Sequence, residues 1–363
     1  MRLRRIPWRT VLPIAALVLV LLTALLPSPY VIESPGPVTN TLGTTRIDGK
    51  ATPVIQVPGR RTYATSGALD LLTVSVIGSP GRTPSWLTLA ASWFDPAQSV
   101  TPLEEIYPVG LTQQQSDQQG AAQMQGSQQS AVAAALTQLG YPVTGTVTVR
   151  SVGKDTAAAG VVRTGDVVRS FAGRPVVDSC GLQDAVLGHG TARTPITLGR
   201  SGSTRTAQVA PRLTDVGDGS KRPLLGITTS STYRFPFPVK LQLGNVDGPS
   251  AGMMFALGII DELTPGSLIG GAHVAGTGTI CGDGTVGPIG GIVQKMAGAR
   301  RAGATVFLAP ASNCDEVVGH IPAGLHVYSV KRLSGALAVL KAVASRGSTA
   351  GLPTCSAQVG SGR

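Results

Sequence analysis

The sequence predicts an α+β protein in which one apolar N-terminal helix precedes two compact folded units. Short strand-like patterns occur along the chain. The 47 Gly and 26 Pro among the 363 residues predict frequent turns between them. In the C-terminal third, apolar segments with helical periodicity are bounded by glycine. Apolar residues make up 42% of the chain and charged residues 13%, a composition that excludes a disordered, highly charged protein.

The positive charge of the chain does not indicate a nucleic-acid partner. The net charge is +11, but four of the basic residues lie before the first apolar segment and no dense Lys/Arg run follows it. Aromatic residues make up only 4% of the chain, which excludes platforms on which bases stack. We therefore expect no nucleic acid among the partners.

The first long apolar segment covers residues 11–26 and predicts a membrane anchor. It is flanked by Trp8 and Tyr30, residue types that are enriched at membrane interfaces. No small-residue cleavage site follows it, so an uncleaved signal anchor is favoured over a removed signal peptide. We expect residues 1–10 to form a cytoplasmic basic end, residues 11–30 to span the cell membrane once, and the catalytic part to lie outside the cytoplasm.

Four cysteines are too few for a disulfide scaffold, and their spacing contains no CxxC pair on which a zinc site could be built. They are Cys180, Cys281, Cys314 and Cys355. Cys281 and Cys314 could form a disulfide in an oxidising compartment, but the sequence leaves this pairing open. We expect neither a metal nor another cofactor.

Residues 31–142 form an N-terminal region with two recognisable segments. The alternating pattern of residues 62–77 predicts two strands around Gly67. Residues 113–129 are rich in Gln and predict a polar helix or a linker, to which we assign no chemistry. The Ala-rich stretch that follows predicts a helix ending at Gly140.

Residues 143–212 have the pattern of a small separate domain. A strand-like segment at 146–152 is followed by an Ala-rich helix, a Gly-Asp pair ending at Asp166, a second strand at 167–171 and the turn Gly-Arg-Pro ending at Pro175. This order resembles bacterial PDZ domains, and the residues alone also fit a generic small α/β unit. The resemblance implies that this PDZ-like unit binds extended peptides or chain ends by adding a strand to a sheet edge.

The segment around Ser250 predicts a nucleophile at the start of a buried helix. Residues 251–262 are strongly apolar, Pro249 suits a first helical turn, and Asp247 suits a helix cap. Backbone N–H groups at the start of a helix have no partner within it and carry partial positive charge. We therefore expect the backbone of Gly248, Pro249 and Ser250 to stabilise an oxyanion.

A second helix, predicted over residues 292–301, carries a lysine in its first turns. Burial and the positive end of the helix both disfavour the charged form of Lys295, so we expect its pKa to fall. A lysine that is uncharged near neutral pH can accept the proton of Ser250 while the serine oxygen attacks an acyl carbon.

Two segments resemble the signatures of a known protease family. DGPSAG contains Ser250 and GPIGGIVQK ends at Lys295, and both look like signatures of the Lon-type Ser–Lys protease domain. The resemblance covers residues 221–345 and implies that Ser250 is the nucleophile, Lys295 the base, and Thr277 the residue that orients the lysine. With the anchor and the PDZ-like unit, the chain is similar to a bacterial family of membrane-anchored PDZ–Lon-like proteases.

The same resemblance assigns strands to the protease fold. Gly226, Ile227 and Thr228 resemble an early strand along the substrate cleft, and residues 62–77 weakly resemble the hairpin that begins the protease domain. Our hypothesis is that the PDZ-like unit is inserted in the protease fold, with residues 62–77 completing the sheet of that fold.

These observations predict a membrane-anchored serine endopeptidase. No GxxxxGK[ST] segment occurs in the chain, so the ATP-driven unfolding of full Lon proteins is not implied and we expect cleavage to be ATP-independent. The expected partners are protein or peptide substrates and a peptide ligand of the PDZ-like unit, and a homo-oligomer is compatible with the sequence. Residues 346–363 are expected to form a flexible tail. The alternative is a catalytically silent, membrane-tethered protein with a peptide-binding or regulatory role.

Two other classes of serine hydrolase are rejected. The sequence around Ser250 also fits a G-x-S-x-G nucleophile elbow, but Asp-Gly-Pro interrupts the strand that such an elbow requires. A chymotrypsin-like triad needs an early histidine, whereas the first histidine of the chain is His189.

Overall fold

The computed structural model of the protein describes residues 8–108, 110, 112–216, 220–244 and 246–355. Residues 1–7 of the expected basic end and residues 356–363 of the expected tail lie outside these ranges. The first elements are α1 (Trp8–Ala24), β1 (Tyr30–Asn40), β2 (Thr44–Ile47), β3 (Lys50–Pro53), β4 (Ile55–Gln56), β5 (Ala68–Ile77), α2 (Trp86–Ser92), β6 (Ser99–Pro102), α3 (Leu103–Ile106) and α4 (Gln113–Gln138).

The middle and last parts of the chain continue the mixed α/β composition that the sequence predicts. The middle elements are β7 (Thr144–Val152), β8 (Val167–Phe171), β9 (Arg174–Pro175), α5 (Ser179–His189), β10 (Thr194–Arg200), β11 (Ser203–Val209), β12 (Arg212–Asp215), β13 (Lys221–Leu224) and β14 (Ile227–Arg234). The last are β15 (Lys240–Leu241), α6 (Gly252–Leu263), β16 (His273–Gly276), β17 (Thr279–Ile280), β18 (Val286–Gly287), α7 (Ile292–Arg301), β19 (Val306–Pro310), a 3-10 turn (Ala311–Asn313), α8 (Cys314–Val317), β20 (His326–Val330) and α9 (Leu333–Ala344).

One six-stranded sheet combines strands from both ends of the chain. Its order is β20-β19-β16-β5-β1-β6, with β5, β16, β19 and β20 parallel and β1 antiparallel to both of its neighbours. Residues 144–234 lie between β6 and β16 in the sequence but contribute no strand to this sheet. The pairing of β5 with β16 is what the hypothesis of an inserted PDZ-like unit requires.

Only residues 68–77 of the segment 62–77 form a strand, so the prediction of two strands is wrong. The backbone before Gly67 has a different partner, because the N–H of Tyr63 donates to the carbonyl oxygen of Glu262 at 2.9 Å. Residues around Tyr63 therefore contact the end of α6 instead of pairing with β5.

The second sheet belongs to the PDZ-like unit and has the order β11-β10-β8-β7-β14, with β9 paired to β8. Its core includes Val147, Val168, Phe171, Ile196 and Leu198, which are all buried between the sheet and the segments packed on it. The Ala-rich helix expected after β7 is absent, since residues 153–163 form turns.

The structure corrects the placement of Gly226, Ile227 and Thr228 along the protease cleft. Ile227 pairs with Val152 and begins β14, the edge strand of the PDZ-like sheet. The carbonyl oxygen of Gly226 also accepts the N–H of Gly153, at 2.9 Å. A pattern of apolar alternation specifies a strand but not its partner, so sequence alone could not distinguish the two sheets.

Two disulfides join Cys180 to Cys281 and Cys314 to Cys355, with Cα–Cα distances of 5.7 and 5.0 Å. The Cys281–Cys314 pairing that the sequence left open is therefore not formed. Cys180 lies in α5, and Cys281 directly follows β17, which pairs with β18 in a two-stranded hairpin. The carboxylate of Asp178 accepts the N–H of Gly282 at 2.7 Å beside this disulfide. Both contacts hold the PDZ-like unit against the β17–β18 hairpin.

The Gln-rich segment and the Ala-rich stretch form one 26-residue helix, α4. A capping box between Thr112 and Gln115 begins it, and it ends two residues before Gly140, as the sequence predicts. Residues 131–136, four of which are alanine, are buried where α4 packs against α6.

The N-terminal helix α1 has 17 residues and contains Pro13. Among the residues that the structure describes, no helix meets the length and hydropathy required to cross a membrane.

Candidate active site

Ser250 lies in the turn directly before α6. Residues 252–261 of this helix are all buried, because the helix is apolar on every side. No side chain caps the helix, and the side chain of Asp247 is exposed, so the expectation that Asp247 caps it is wrong. Ser250 is half-buried, which leaves its hydroxyl at the boundary between the helix and the solvent.

Lys295 is the fourth residue of α7, and its side chain is 3% exposed. The helix begins after Gly291, whose φ of +66° lies in the left-handed region that favours glycine. The lysine Nζ lies 2.7 Å from Ser250 Oγ and 3.2 Å from Thr277 Oγ1. The structure thus brings together the three side chains that the sequence singled out.

Thr277 connects the lysine to the backbone of the serine. The Thr277 hydroxyl donates its proton to the carbonyl oxygen of Ser250 at 3.1 Å. The lone pairs of Thr277 Oγ1 therefore remain available to accept a hydrogen bond from Lys295 Nζ. Thr277 is buried, and its N–H donates to the carbonyl oxygen of Leu308 at 3.1 Å. The N–H of Gly278 adds a second bond to the Ser250 carbonyl, at 2.9 Å. These bonds fix the positions of the hydroxyl and amine groups relative to each other.

Burial lowers the pKa of Lys295 to about 8. Both polar partners of Nζ are hydroxyl groups, which carry no charge to offset the loss of hydration. The lysine is therefore uncharged in a substantial fraction of molecules slightly above neutral pH. An uncharged amine 2.7 Å from a serine hydroxyl can act as a general base toward it.

The structure corrects the assignment of an oxyanion role to two of the three residues whose backbone was expected to hold it. The N–H of Gly248 already donates to the carbonyl oxygen of Gly120 at 3.2 Å, and Pro249 has no N–H. The N–H groups of Ser250 and Ala251 meet no acceptor within the described residues. These two groups precede α6 and are the candidates for an oxyanion site.

Sequence reasoning missed the contribution of α4 to this site. Ser127 Oγ donates to the carbonyl oxygen of Pro249 at 2.8 Å, and Gly120 accepts from Gly248 as described above. Met124 lies on the same helical face and lines the cleft beside Ser250. The spacing of a glycine, an apolar residue and a serine by four and three positions was the available signal, but it was hidden in a glutamine-rich background.

We expect Gly120→Ala to lower kcat/KM for peptide cleavage roughly 10- to 100-fold, because small displacements of a nucleophile have effects of this size. A Cβ at Gly120 would lie 2.9 Å from the Cβ of Asp247, so the loop before Ser250 would have to shift. Gly126→Ala in the same helix is the matched control, since no atom lies within 4 Å of its Cβ position. Equal activity of the two variants would contradict a role of α4 in positioning the loop.

A cleft of about 560 Å³ lies beside Ser250 and Lys295. Residues 72–76 of β5 form one wall of it. Within the described residues, β16 pairs only with residues 68–71 of β5, so the edge of β5 beyond residue 71 has no partner strand on this side. An unpaired strand edge offers N–H and C=O groups to an extended peptide.

A second groove of about 670 Å³ lies on the PDZ-like unit, between β14 and α5. Gly226, Ile227 and Thr228 line this groove together with Leu182 and Val186 of α5. The residues that sequence reasoning placed along the protease cleft thus belong to a different surface depression. No group of three or more His, Cys, Asp or Glu side chains in the described ranges is arranged to hold a metal ion.

Comparison with known proteins gives a family match over the region that contains this site. Residues 242–342 match the Lon protease (S16) C-terminal proteolytic domain. Lon protease 1 of Sorangium cellulosum is 36% identical over 119 residues, which are 31% of this chain and 14% of that protein. Lon protease 2 of Herpetosiphon aurantiacus is 33% identical over 183 residues, which are 49% of this chain and 21% of that protein. The chain thus spans about a fifth or less of the length of these relatives.

Solved structures similar to this chain include two PDZ domains. The PDZ domain of the SdrC-like protein from Listeria innocua is 22% identical and covers 23% of this chain and 92% of that one, with a TM-score of 0.21. The corresponding domain from Listeria monocytogenes is 25% identical and covers 23% and 85%, also with a TM-score of 0.21. TM-scores this low do not establish a shared fold. The match to the proteolytic domain and the Lon relatives, by contrast, together support a serine peptidase.

Proposed function

We propose that the protein is an endopeptidase in which Ser250 and Lys295 form the catalytic dyad. The observation that carries this proposal is the 2.7 Å distance between Lys295 Nζ and Ser250 Oγ, together with burial that lowers the pKa of the lysine to about 8. The uncharged amine accepts the hydroxyl proton as Ser250 Oγ bonds to the peptide carbonyl carbon. The protonated lysine then donates this proton to the leaving nitrogen as the C–N bond breaks.

The remaining groups of the site assist the same reaction. Thr277 holds the Lys295 amine through its hydroxyl, and the N–H groups of Ser250 and Ala251 face the negative oxygen of the tetrahedral intermediate. The substrate lies as an extended strand along the open edge of β5. Water, activated by the same lysine, then hydrolyses the acyl-enzyme and restores the Ser250 hydroxyl.

We further propose that this cleavage requires no nucleotide, which is supported by the lack of a P-loop sequence in these 363 residues. Incubation of the full chain with casein, an unstructured protein, without nucleotide tests this. We expect cleavage that added ATP does not accelerate. Cleavage that occurs only when ATP is added would contradict the proposal that no nucleotide is required. A folded chain that cleaves nothing would favour a catalytically silent peptide-binding protein.

The groove between β14 and α5 supports a second part of the proposal, namely that the PDZ-like unit binds an extended peptide segment. β14 is an edge strand, and the apolar side chains of Leu182 and Val186 face it across the groove. Backbone pairing with β14 and apolar contacts with α5 are the two kinds of contact that such binding needs.

Membrane attachment through α1 is the third part of the proposal. Its support is the exposure of nine large apolar side chains in and directly after this helix: Leu12, Ile14, Leu17, Val18, Leu19, Leu21, Leu22, Leu25 and Leu26. Trp93 and Phe94, which are 74% and 89% exposed, directly follow α2, and α2 contacts α1. The N–H of Trp86 in α2 donates to the carbonyl oxygen of Leu26 at 3.3 Å and connects the two helices. Exposed apolar surface of this extent is typical of a membrane-binding region.

We expect the full chain to float with phospholipid vesicles in a density gradient and the double variant Leu17→Asp/Leu21→Asp to remain in the dense fraction. Each acidic side chain in an apolar helix raises the free energy of membrane insertion by roughly 3 kcal/mol. Leu213→Asp/Ile321→Asp changes two exposed apolar residues elsewhere and is the matched control. A parent protein that does not float, or floatation of both variants alike, would contradict attachment through α1.

A further inference from the structure

The cleft beside Ser250 contains an acidic side chain that the proposed mechanism does not use. Glu33 lies on β1, and its neighbours across the sheet are Val76 on β5 and Ser99 on β6. Directly paired residues point to the same face of a sheet, and both Glu33 and Val76 line the cleft together with Lys295. The carboxylate therefore belongs to the substrate cleft although it is distant from the serine in sequence.

The carboxylate of Glu33 is held in place by hydroxyl groups rather than by a cation. Ser99 Oγ and Thr101 Oγ1 both donate to the same oxygen, Oε2, at 3.1 Å. Gln294 of α7 donates to Ser99 Oγ at 2.9 Å and orients this hydroxyl in turn. The second carboxylate oxygen accepts no hydrogen bond within the described residues, and no described Lys or Arg forms an ion pair with Glu33.

The charge of the cleft is opposite to the charge of the whole chain. The chain has a net charge of +11, but the titratable residues that line the cleft are Glu33, Asp247 and Lys295. Lys295 is uncharged in the active form of the proposed dyad, so the two carboxylates dominate the cleft. A half-buried carboxylate with a free oxygen is stabilised by a cation that reaches it from a bound ligand.

We propose that Glu33 is a specificity-determining residue that selects substrate segments with a Lys or Arg side chain in the cleft. This inference rests on the proposed peptidase function and names its substrate class. The substrate ammonium or guanidinium group donates to the free oxygen of Glu33 while the peptide backbone lies along β5. A charge-assisted hydrogen bond in such a position changes kcat/KM roughly 10- to 100-fold.

A series of quenched fluorogenic peptides tests this selection. The peptides share one scissile bond and differ at a single residue, which is Lys, norleucine or Glu and is placed in turn at each position around that bond. We expect the full chain to prefer Lys over norleucine at one position by roughly 10- to 100-fold. Glu33→Gln keeps the acceptor for Ser99 and Thr101 but removes the charge. It should abolish this preference and leave cleavage of the norleucine peptide within about threefold of the parent. Glu33→Lys should instead favour the Glu peptide.

Three results would overturn the assignment. A Lys preference that survives Glu33→Gln but is lost in Asp247→Asn would assign the selection to Asp247. An equal loss of cleavage for all peptides in Glu33→Gln would show that Glu33 only supports β6, and the absence of any Lys preference would show that no selection occurs.

Fluorescence anisotropy of the same peptides, without the quencher, on Ser250→Ala measures selection in binding without cleavage. Binding that depends on Glu33 but is not accompanied by cleavage in the parent would refute the peptidase while supporting the selection.

Discussion

Ser250→Ala and Lys295→Met are each expected to lower kcat for casein cleavage at least roughly 1000-fold. The first variant removes the atom that attacks the carbonyl. The second removes the only amine within hydrogen-bond distance of that atom in the described part of the chain, so the hydroxyl proton has no acceptor of sufficient basicity. Both losses should be similar in size, because the two groups act as one unit and neither is effective alone. Cleavage is measured by release of acid-soluble peptides.

The control for this experiment is Lys341→Met, an exposed lysine in α9. It should retain parental activity, and circular dichroism should show the same secondary structure in all four proteins. Activity that survives in Lys295→Met while Ser250→Ala is inactive would assign the base to another residue. Activity that survives in Ser250→Ala would remove the serine from the mechanism.

The pH dependence of kcat/KM should follow the titration of Lys295. Its pKa is lowered to about 8 by burial, and only the uncharged amine accepts a proton. Activity should therefore rise with pH, reach half of its maximum near pH 8 and remain level above about pH 9. A pH series with a fluorogenic norleucine peptide measures this profile. A flat profile from about pH 6 to pH 10 would contradict a lysine base.

The same lysine also affects stability, and the sign follows from the two pKa values. Lys295 titrates near 8 when folded and near 10.5 when exposed in the unfolded chain, so between these values the unfolded state binds more protons. Stability from this residue is complete above about pH 10.5 and is lost as the pH falls through about 8. Below that pH the buried charge destabilises the fold by about 3 kcal/mol. Lys295→Met should thus raise the free energy of unfolding at pH 7 by about 2–3 kcal/mol, as urea titration would show.

A less stable Lys295→Met at pH 7 would contradict this account of the lysine. Comparison at about pH 10.5 provides the internal control, because the destabilisation by charge is nearly absent there and the two proteins should differ by less. Loss of activity together with a gain in stability distinguishes a residue kept for chemistry from one kept for packing.

The dyad could be predicted from sequence because each of its members is specified by local signals. Gly291 and the apolar stripe of α7 determine where that helix begins, and the apolar run after Ser250 determines α6, so both side chains lie at the starts of buried helices. Their distance in space could not be obtained in this way. It came from the resemblance of the two segments to a protease family, and the structure places the two atoms 2.7 Å apart.

The features that sequence reasoning missed depend on contacts between distant segments. β14 and the open edge of β5 have similar alternating patterns, and only the three-dimensional pairing places one in the PDZ-like sheet and the other at the cleft. The pairing of Cys180 with Cys281 requires the PDZ-like unit to be docked on the β17–β18 hairpin. Glu33 and Ser127 reach the site across 217 and 123 residues of sequence, respectively, and neither stands in a motif.

Direct detection of the acyl-enzyme tests the central claim most closely. The full chain is mixed with a peptide thioester at about pH 9, where Lys295 is uncharged and Ser250 can be acylated, and the reaction is stopped with acid within the first turnover, before deacylation, for digestion and mass spectrometry. The account predicts that the acyl group is attached to Ser250 and is absent from Ser250→Ala. Attachment to another residue, or turnover of the thioester by Ser250→Ala at the parental rate, would contradict a mechanism based on Ser250.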